Sequence, residues 1–331
     1  MRMRILAGDI GGTKVLLRLA DFARGKFTLV NEKRFKSASY SELTPIVREF
    51  LDEANAAKPP NAACFGIAGP IEATAAGQSV HTTNLPWVIE TRPLQTELGI
   101  PRVRLINDFQ AIGYAIDGLD SAELVALQQG ERIAGAPGAV IGAGTGLGQA
   151  LLLWNGDHHE ALPTEGGHVD FAPTDDLQME LLRFLTERYG RVSYERILSG
   201  EGLMNLYAFF RDRAGVAADV ETADTCETPA AVSAAAMERT DSAAMSALQL
   251  FASAYGAHAG NVALSYLANG GVYIAGGIAP KILPALQDGG FLRAFTDKGR
   301  MNTLLERMPV HVITNEKAGL LGAALAATRL K

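Results

Sequence analysis

Two glycine-rich turns, DIGGT at residues 9–13 and GAGTGLG at 142–148, each lie between apolar runs. The pattern is strand, tight turn, strand, used twice, and it narrows the possible folds more than any other feature of the chain. Glycine lets backbone N–H groups approach a polyanion closely, and Asp9, Thr13 and Thr145 add polar groups able to orient a phosphate or its metal. Two such hairpins predict one triphosphate gripped from two sides. Taken singly, each is equally consistent with an ordinary hairpin, because Gly-Gly pairs favour such turns. Neither fits the better-known nucleotide patterns. There is no G-x-x-x-x-G-K-[ST], Leu147 occupies the third glycine position of G-x-G-x-x-G, and both turns lead into strands where those motifs open helices.

A chain of 331 residues is long for one core and predicts two lobes of ordinary domain size. Its formal charge of -6 offers no basic stripe for a phosphate backbone, so small metabolites are expected and nucleic acid is not. The first residues run straight into strand-like RILAGD, without the pattern of an export signal. Apolar runs such as VYIAGG fall far short of the roughly 20 residues that span a bilayer, so a soluble, cytoplasmic protein without a membrane partner is expected. Cys64 and Cys226 are the only cysteines and suit free thiols in a reducing compartment; they are too few for a cysteine-based structural zinc site.

Along the chain, residues 4–9 and 14–21 predict a hairpin, 41–57 an amphipathic helix and 63–69 a buried strand. Residues 70–90 carry turn punctuation around short apolar pieces, and helix PLQTELG and strand VRLIN follow. The α/β alternation puts a first domain at 1–110, completed by a C-terminal helix at 316–331, and a second domain at 111–315 that begins with helix FQAIGYAI. Strand AVIGAG and strand QALLLW then repeat the opening theme. Helices dominate from about 176 to 268, interrupted by a loop at 221–229. Met245, Leu248, Phe251, Tyr255, Val262 and Tyr266 recur at helical spacing and predict one long core-facing helix at 241–267. The final AGLLGAALAATRL is a helix with small residues on one side, suited to packing back onto the first domain.

Three further places carry candidate chemistry. In VYIAGGIAP, a buried strand meets Gly276 and Gly277, where bare backbone suits adenine or ribose; the other reading is a plain turn into a helix started by Pro280. Asp108 stands at the carboxyl end of strand VRLIN, where ligands of open α/β sheets gather, although Asn107 or Asp108 would equally serve as a helix cap. In LPTEGGHVDF, Glu165 and His168 flank Gly166 and Gly167, whose flexibility would let both side chains converge on one polyol. Glu195, in VSYERILSG, also suits a favourable first-turn charge at a helix start.

DIGGT, LINDF, GAGTGLG, LPTEGGHVDFAP, SYERILSG, IAGGI, AFTDKGR and AGLLGA together resemble the bacterial glucokinases of the hexokinase group, in order and over nearly the whole chain. That resemblance implies an α/β, two-lobed actin-like (ribonuclease H-like) ATPase fold with an interlobe cleft, and ATP-dependent phosphorylation of glucose at its 6-hydroxyl. Asn107, Asp108, Glu165, His168 and Glu195 fall on the family's sugar-contact positions, with Asp108 its catalytic base. The donor side would comprise Asp9, Gly11, Gly12, Thr13, Gly144, Thr145, Gly146, Gly276 and Gly277. Mg²⁺ would bridge phosphate oxygens while keeping much of its water shell, with Asp9 meeting it through water. A homodimer is a further expectation from the family.

Related families depart from this pattern. The ROK kinases and repressors share DIGGT and the E-x-x-H sugar element but typically add a cysteine-rich zinc motif, whereas His168 is followed by VDFAP. ROK repressors also place a helix-turn-helix domain before DIGGT, where this sequence has eight residues. Thr164 stands where glycine is common, and GIAGP where a more cysteine-containing version occurs; neither removes a proposed functional group. Two alternatives share the fold: a kinase for mannose, fructose or an N-acetylated hexosamine, and a sugar- and ATP-binding regulator without useful turnover.

Overall fold

The structure, a computed structural model, describes residues 2–54, 58–75, 77–83, 85–215 and 226–330. Strands β1 (Met3–Ile10), β2 (Lys14–Ala23) and β3 (Lys26–Lys36) form an antiparallel meander. Helix α1 (Leu43–Glu53) buries Ile46, Val47 and Phe50, and residues 55–57 of the expected helix lie outside the described residues. Fully buried β4 (Ala62–Ile67) pairs parallel to β1. The punctuated stretch forms a small antiparallel sheet of β5 (Ile71–Thr74), β6 (Gly77–His81) and β7 (Val88–Glu90). Helix α2 (Thr91–Leu98), strand β8 (Val103–Asn107) and helix α3 (Asp108–Ala115) follow in the expected order.

Next come β9 (Leu124–Gln128), β10 (Gly138–Ala143), β11 (Leu147–Trp154) and β12 (His159–Thr164). The helical region holds α4 (Asp176–Tyr189), α5 (Gly200–Arg213), α6 (Pro229–Glu238) and α7 (Ser242–Tyr266). Of the loop expected at 221–229, residues 221–225 lie outside the described residues; Thr228 then caps α6 by accepting the Ala231 N–H. Strand β13 (Gly271–Ala275), helices α8 (Leu283–Gln287), α9 (Gly290–Thr296) and α10 (Asn302–Arg307), strand β14 (Val310–Ile313) and helix α11 (Ala318–Thr328) complete the chain. The helix expected to start at Pro280 starts instead at Leu283, after turns that occupy 276–282.

The chain divides into two compact units, one of Met1–Ser121, Asp157–Pro163 and Asn315–Lys331 and one of Ala122–Gly156 and Thr164–Thr314. This differs from a boundary at residue 110, because α3 packs on α11 and β4 and so stays with the first unit. In the first unit the strand order is β3-β2-β1-β4-β8, and in the second it is β11-β10-β13-β14-β9. The run β2-β1-β4-β8 and the run β11-β10-β13-β14 share one pattern: antiparallel, parallel, parallel. Each glycine-rich turn therefore occupies the same place in its sheet, at the hairpin beside the central parallel pair.

The first core gathers Leu6, Phe35, Phe50, Phe65 and Trp87. The second is built around α7, in which Leu248, Phe251, Tyr255 and Val262 are buried as expected, while Met245 and Tyr266 are only partly so. A single apolar stripe understates this helix. A Cβ on Gly256 would come within 2.0 Å of the Phe291 carbonyl oxygen, and one on Gly260 within 2.4 Å of that of Phe295, so two glycines let α9 lie against its other face.

Candidate active site

In the first unit, the DIGGT turn closes through Gly11 N–H donating to Lys14 O at 2.9 Å, and Ser37 Oγ donates to Gly11 O at 2.9 Å. Gly11 is not left-handed; a Cβ there would stand 3.2 Å from Lys14 O, so the glycine serves space and close approach. Asp9, one residue before the end of β1, stands beside Gly319, whose Cβ would come within 3.8 Å of the Asp9 carboxyl carbon. Burial pushes the Asp9 carboxyl up from its ordinary range, and the Lys14 charge only partly opposes this. A desolvated carboxylate stabilised by one distant cation fits a hydrated divalent ion. Among the described residues no group of three or more His, Cys, Asp or Glu side chains makes a dedicated metal cage, so such an ion would depend on phosphate oxygens and Asp9.

The raised Asp9 pKa gives a signed prediction. A carboxyl whose folded pKa lies above its unfolded value favours the folded state at low pH and loses that contribution as pH rises through the folded value. Without nucleotide or Mg²⁺, Asp9→Asn is therefore expected to melt higher than the parent protein at neutral pH, with the gap closing near about pH 3, while phosphoryl transfer falls. Thermal melts at both pH values check it, and a lower melting temperature at neutral pH would contradict it.

At the end of β8, Asn107 Oδ1 accepts the Phe109 and Gln110 N–H groups at 2.9 and 3.3 Å, and Gln110 Oε1 accepts the Asn107 N–H at 3.3 Å. This capping box engages the Asn107 side-chain carbonyl in the first turn of α3. Asp108 is the first residue of α3, where its negative charge is favoured, and its Oδ1 accepts the Phe109 N–H at 2.9 Å. Asn107 makes the cap, and Asp108 beside it also accepts a first-turn N–H. Gly66 of β4 makes room for α3, since a Cβ there would lie 2.9 Å from that of Ala111.

In the second unit, Gly144 N–H donates to Gly146 O at 2.8 Å, and Gly144 O accepts the Gly200 N–H of α5 at 2.8 Å. Thr145 is exposed, and a Cβ on Gly144 would meet open space. Gly276 has a left-handed φ of 82°, and its Cβ would strike Ala143 O at 2.3 Å, which sets the Gly276–Gly277 turn beside the entry to the Gly144 loop. Tyr255, expected only as core, also pins that entry: its hydroxyl accepts Ala143 N–H at 3.1 Å and donates to Ile141 O at 3.2 Å.

Glu165, His168 and Glu195 come together in this unit. His168 Nε2 lies 3.9 Å from Glu165 Oε2, and His168 Nδ1 lies 3.8 Å from Glu195 Oε1. These separations are too long for hydrogen bonds, so the three groups converge with bonding capacity left for a ligand. Glu195 sits in the 3₁₀ turn Tyr194–Arg196, and its Oε2 accepts Leu147 N–H at 2.9 Å. A Cβ on Gly146 would lie 2.4 Å from that oxygen, so this glycine of GAGTGLG holds a place for Glu195. The glycines between Glu165 and His168 are there for space rather than flexibility. A Cβ on Gly167 would be 2.0 Å from Leu147 O, and one on Gly166 would be 2.4 Å from Gln149 Oε1.

Sequence reading missed the layer under this loop. A cavity of about 240 Å³ is lined by Gln149, Gly166, Tyr194, His258, Asn261 and Tyr266 among others. The His258 ring packs on Tyr194 with centroids 4.2 Å apart, and burial, aided by the Lys298 charge, pushes its pKa down to about 4. His258 thus packs behind Tyr194, the residue before Glu195, where burial disfavours its charged form. Its only trace in the sequence is its place on the buried face of a long apolar helix.

The glucokinase family model matches residues 6–330. The chain is 45% identical to a glucokinase of Nostoc sp. over 98% of this chain and 99% of that protein. It is 46% identical to a glucokinase of Nostoc punctiforme at the same coverage. Its fold matches a crystal structure of glucokinase from an Antarctic psychrotroph with a TM-score of 0.86 and 32% identity, covering 98% of both chains. A ROK family glucokinase from Streptomyces griseus, solved with glucose and AMPPNP, shares the fold at a TM-score of 0.63 and 19% identity over 98% of this chain and 99% of that one. Among the described residues no helix is long and apolar enough to cross a membrane.

Proposed function

We propose, because this chain belongs to the glucokinase family, that it transfers the γ-phosphoryl group of ATP to the 6-hydroxyl of glucose in the cytoplasm. The observation that carries the reading is the second-unit cluster, in which the two glutamates flank His168 while Glu195 is bonded to the backbone of the Gly144–Gly146 loop. A sugar presents adjacent hydroxyls, and carboxylates accept two hydrogen bonds each, so Glu165 and Glu195 would fix the ring while His168 adds a donor. The tie between Glu195 and Leu147 N–H lets an acceptor contact and a donor-phosphate loop share one support. The same hairpin placed in two like-ordered sheets also suits the actin-like superfamily.

Transfer of this kind passes through a loose, charge-dispersed transition state, so alignment and charge neutralisation carry most of the catalysis. Asp108 accepts the hydroxyl proton as its oxygen attacks phosphorus, which requires no raised pKa because that proton becomes acidic only during attack. The N–H groups of Gly12, Thr13, Thr145 and Gly146 hold the phosphates, Gly11 and Gly144 close the two turns with their own N–H groups and let the phosphates approach bare backbone, and Gly276 and Gly277 give the adenosine a bare surface. Mg²⁺ when bound would neutralise phosphate charge, with Asp9 holding its water. The Streptomyces griseus structure supports the donor and acceptor pairing at the level of the fold, since that protein was solved with glucose and an ATP analogue.

A coupled assay with purified protein, ATP and Mg²⁺ tests this reading. Glucose is expected to give glucose 6-phosphate and to exceed mannose, fructose and N-acetylglucosamine in kcat/KM. Stoichiometric binding of sugar and nucleotide with no sugar phosphate after long incubation would replace the kinase with a regulator.

A further inference from the structure

Helix α3 does more than present Asp108. Three residues on it and on the 3₁₀ turn that continues it, Gln110, Tyr114 and Asp117, grip one short strip of chain from the start of β12. Gln110 Nε2 donates to Ala161 O at 2.7 Å, and Tyr114 Oη donates to Glu160 Oε2 at 2.7 Å. Asp117 accepts the His159 N–H at 3.0 Å, and its other oxygen lies 2.6 Å from His159 Nδ1. Arg329, beyond α11, locks the far end by donating to Asp117 Oδ2 at 3.0 Å and to His159 O at 3.2 Å. The spacing of four and then three residues puts these contacts on one helical face. They explain why residues 157–163 belong to the first unit although the chain on either side does not.

Gln110 is the most constrained member. It is 8% exposed, and its one amide is used from both ends: Oε1 accepts the backbone N–H of Asn107 at 3.3 Å while Nε2 holds Ala161 O. Asn107 adjoins Asp108, and Ala161 stands four residues before Glu165 in the same run of chain. We propose that Gln110 is a positioning residue for acceptor binding, whose single amide ties Asn107, beside Asp108, to the strip of the same unit from which the chain runs on to Glu165 and His168. It touches no reacting atom. This inference rests on the sugar-contact roles given to Asn107, Asp108, Glu165 and His168.

Gln110→Glu separates the two ends of the amide, because the substitution keeps an acceptor for Asn107 N–H and loses the donor to Ala161. The expected result is a loss of glucose affinity of about tenfold, the equivalent of one hydrogen bond of about 1.4 kcal/mol, with ATP affinity unchanged within about twofold. A purely structural role would lower the melting temperature and weaken both ligands together, and that outcome overturns the proposal. So does unchanged glucose affinity in a folded variant. If Gln110→Glu does not fold, Tyr114→Phe removes the hydroxyl that donates to Glu160 and accepts from Arg104 at 3.3 Å, and glucose affinity is then expected to fall about threefold with ATP affinity unchanged; no change there also overturns it. Wild-type turnover in the coupled assay decides the kinase reading, and the variant-to-wild-type ratio of glucose affinities alone decides the role of Gln110.

Discussion

Asp108→Asn is expected to lower glucose phosphorylation by about a thousandfold while leaving the fold and measurable glucose binding in place. The substitution is nearly isosteric, and its remaining side-chain oxygen can still accept the Phe109 N–H that Asp108 Oδ1 accepts at 2.9 Å. The Asn107–Gln110 capping box is untouched, so the first turn of α3 persists. Removing the negative charge there costs only about 0.3–1 kcal/mol of helix-dipole stabilisation. What disappears is the proton acceptor, since a carboxamide cannot take the hydroxyl proton as attack proceeds. Turnover by coupled assay and glucose binding by calorimetry separate the two effects. Turnover equal to that of the parent protein would end the assignment of Asp108 as base.

Gly322→Ala should have the largest effect on stability. A Cβ at this position of α11 would lie 1.7 Å from Ala111 O and 2.8 Å from Ala115 N, and both atoms are backbone of α3. Neither can turn aside as a side chain would, so the helices must separate. Overpacking of a tight core costs about 1–3 kcal/mol, and contact with rigid backbone places this case at about 3. A melting temperature lower by on the order of 5 °C or more is the expected result. Because Ala111 lies one turn after Asp108, the same displacement moves the proposed base, and kcat at a temperature where the variant is fully folded is expected to fall as well. A variant that melts with the parent protein would show that α11 can shift without cost.

Much of this site is legible in the residues because its signals are local. Gly-rich turns between apolar runs predict the β1–β2 and β10–β11 hairpins, and VRLIN before FQAIGYAI predicts a strand that delivers Asp108 to a helix start. Asn107 followed three residues later by Gln110 is also a local signal, the capping box, and it was open to reading. Gly166 and Gly167 are not legible locally: their pattern suggests flexibility, whereas they are small because β11 lies against them. Local pattern also starts a helix at Pro280, where the chain instead makes turns before Leu283.

The sequence by itself determined the two hairpins, the long helix α7, the strand-end carboxylate and the Glu165–His168 pair, since periodicity and turn chemistry act over a few neighbouring residues, and the family resemblance joined Glu195 to that pair. Only the tertiary structure decided why Gly146 must be small, how Tyr255 pins β10, why Gly322 cannot carry a methyl group and how Gln110 reaches Ala161. Those answers depend on atoms brought within about 3 Å by packing across tens to hundreds of residues, a distance that no pattern along the chain encodes.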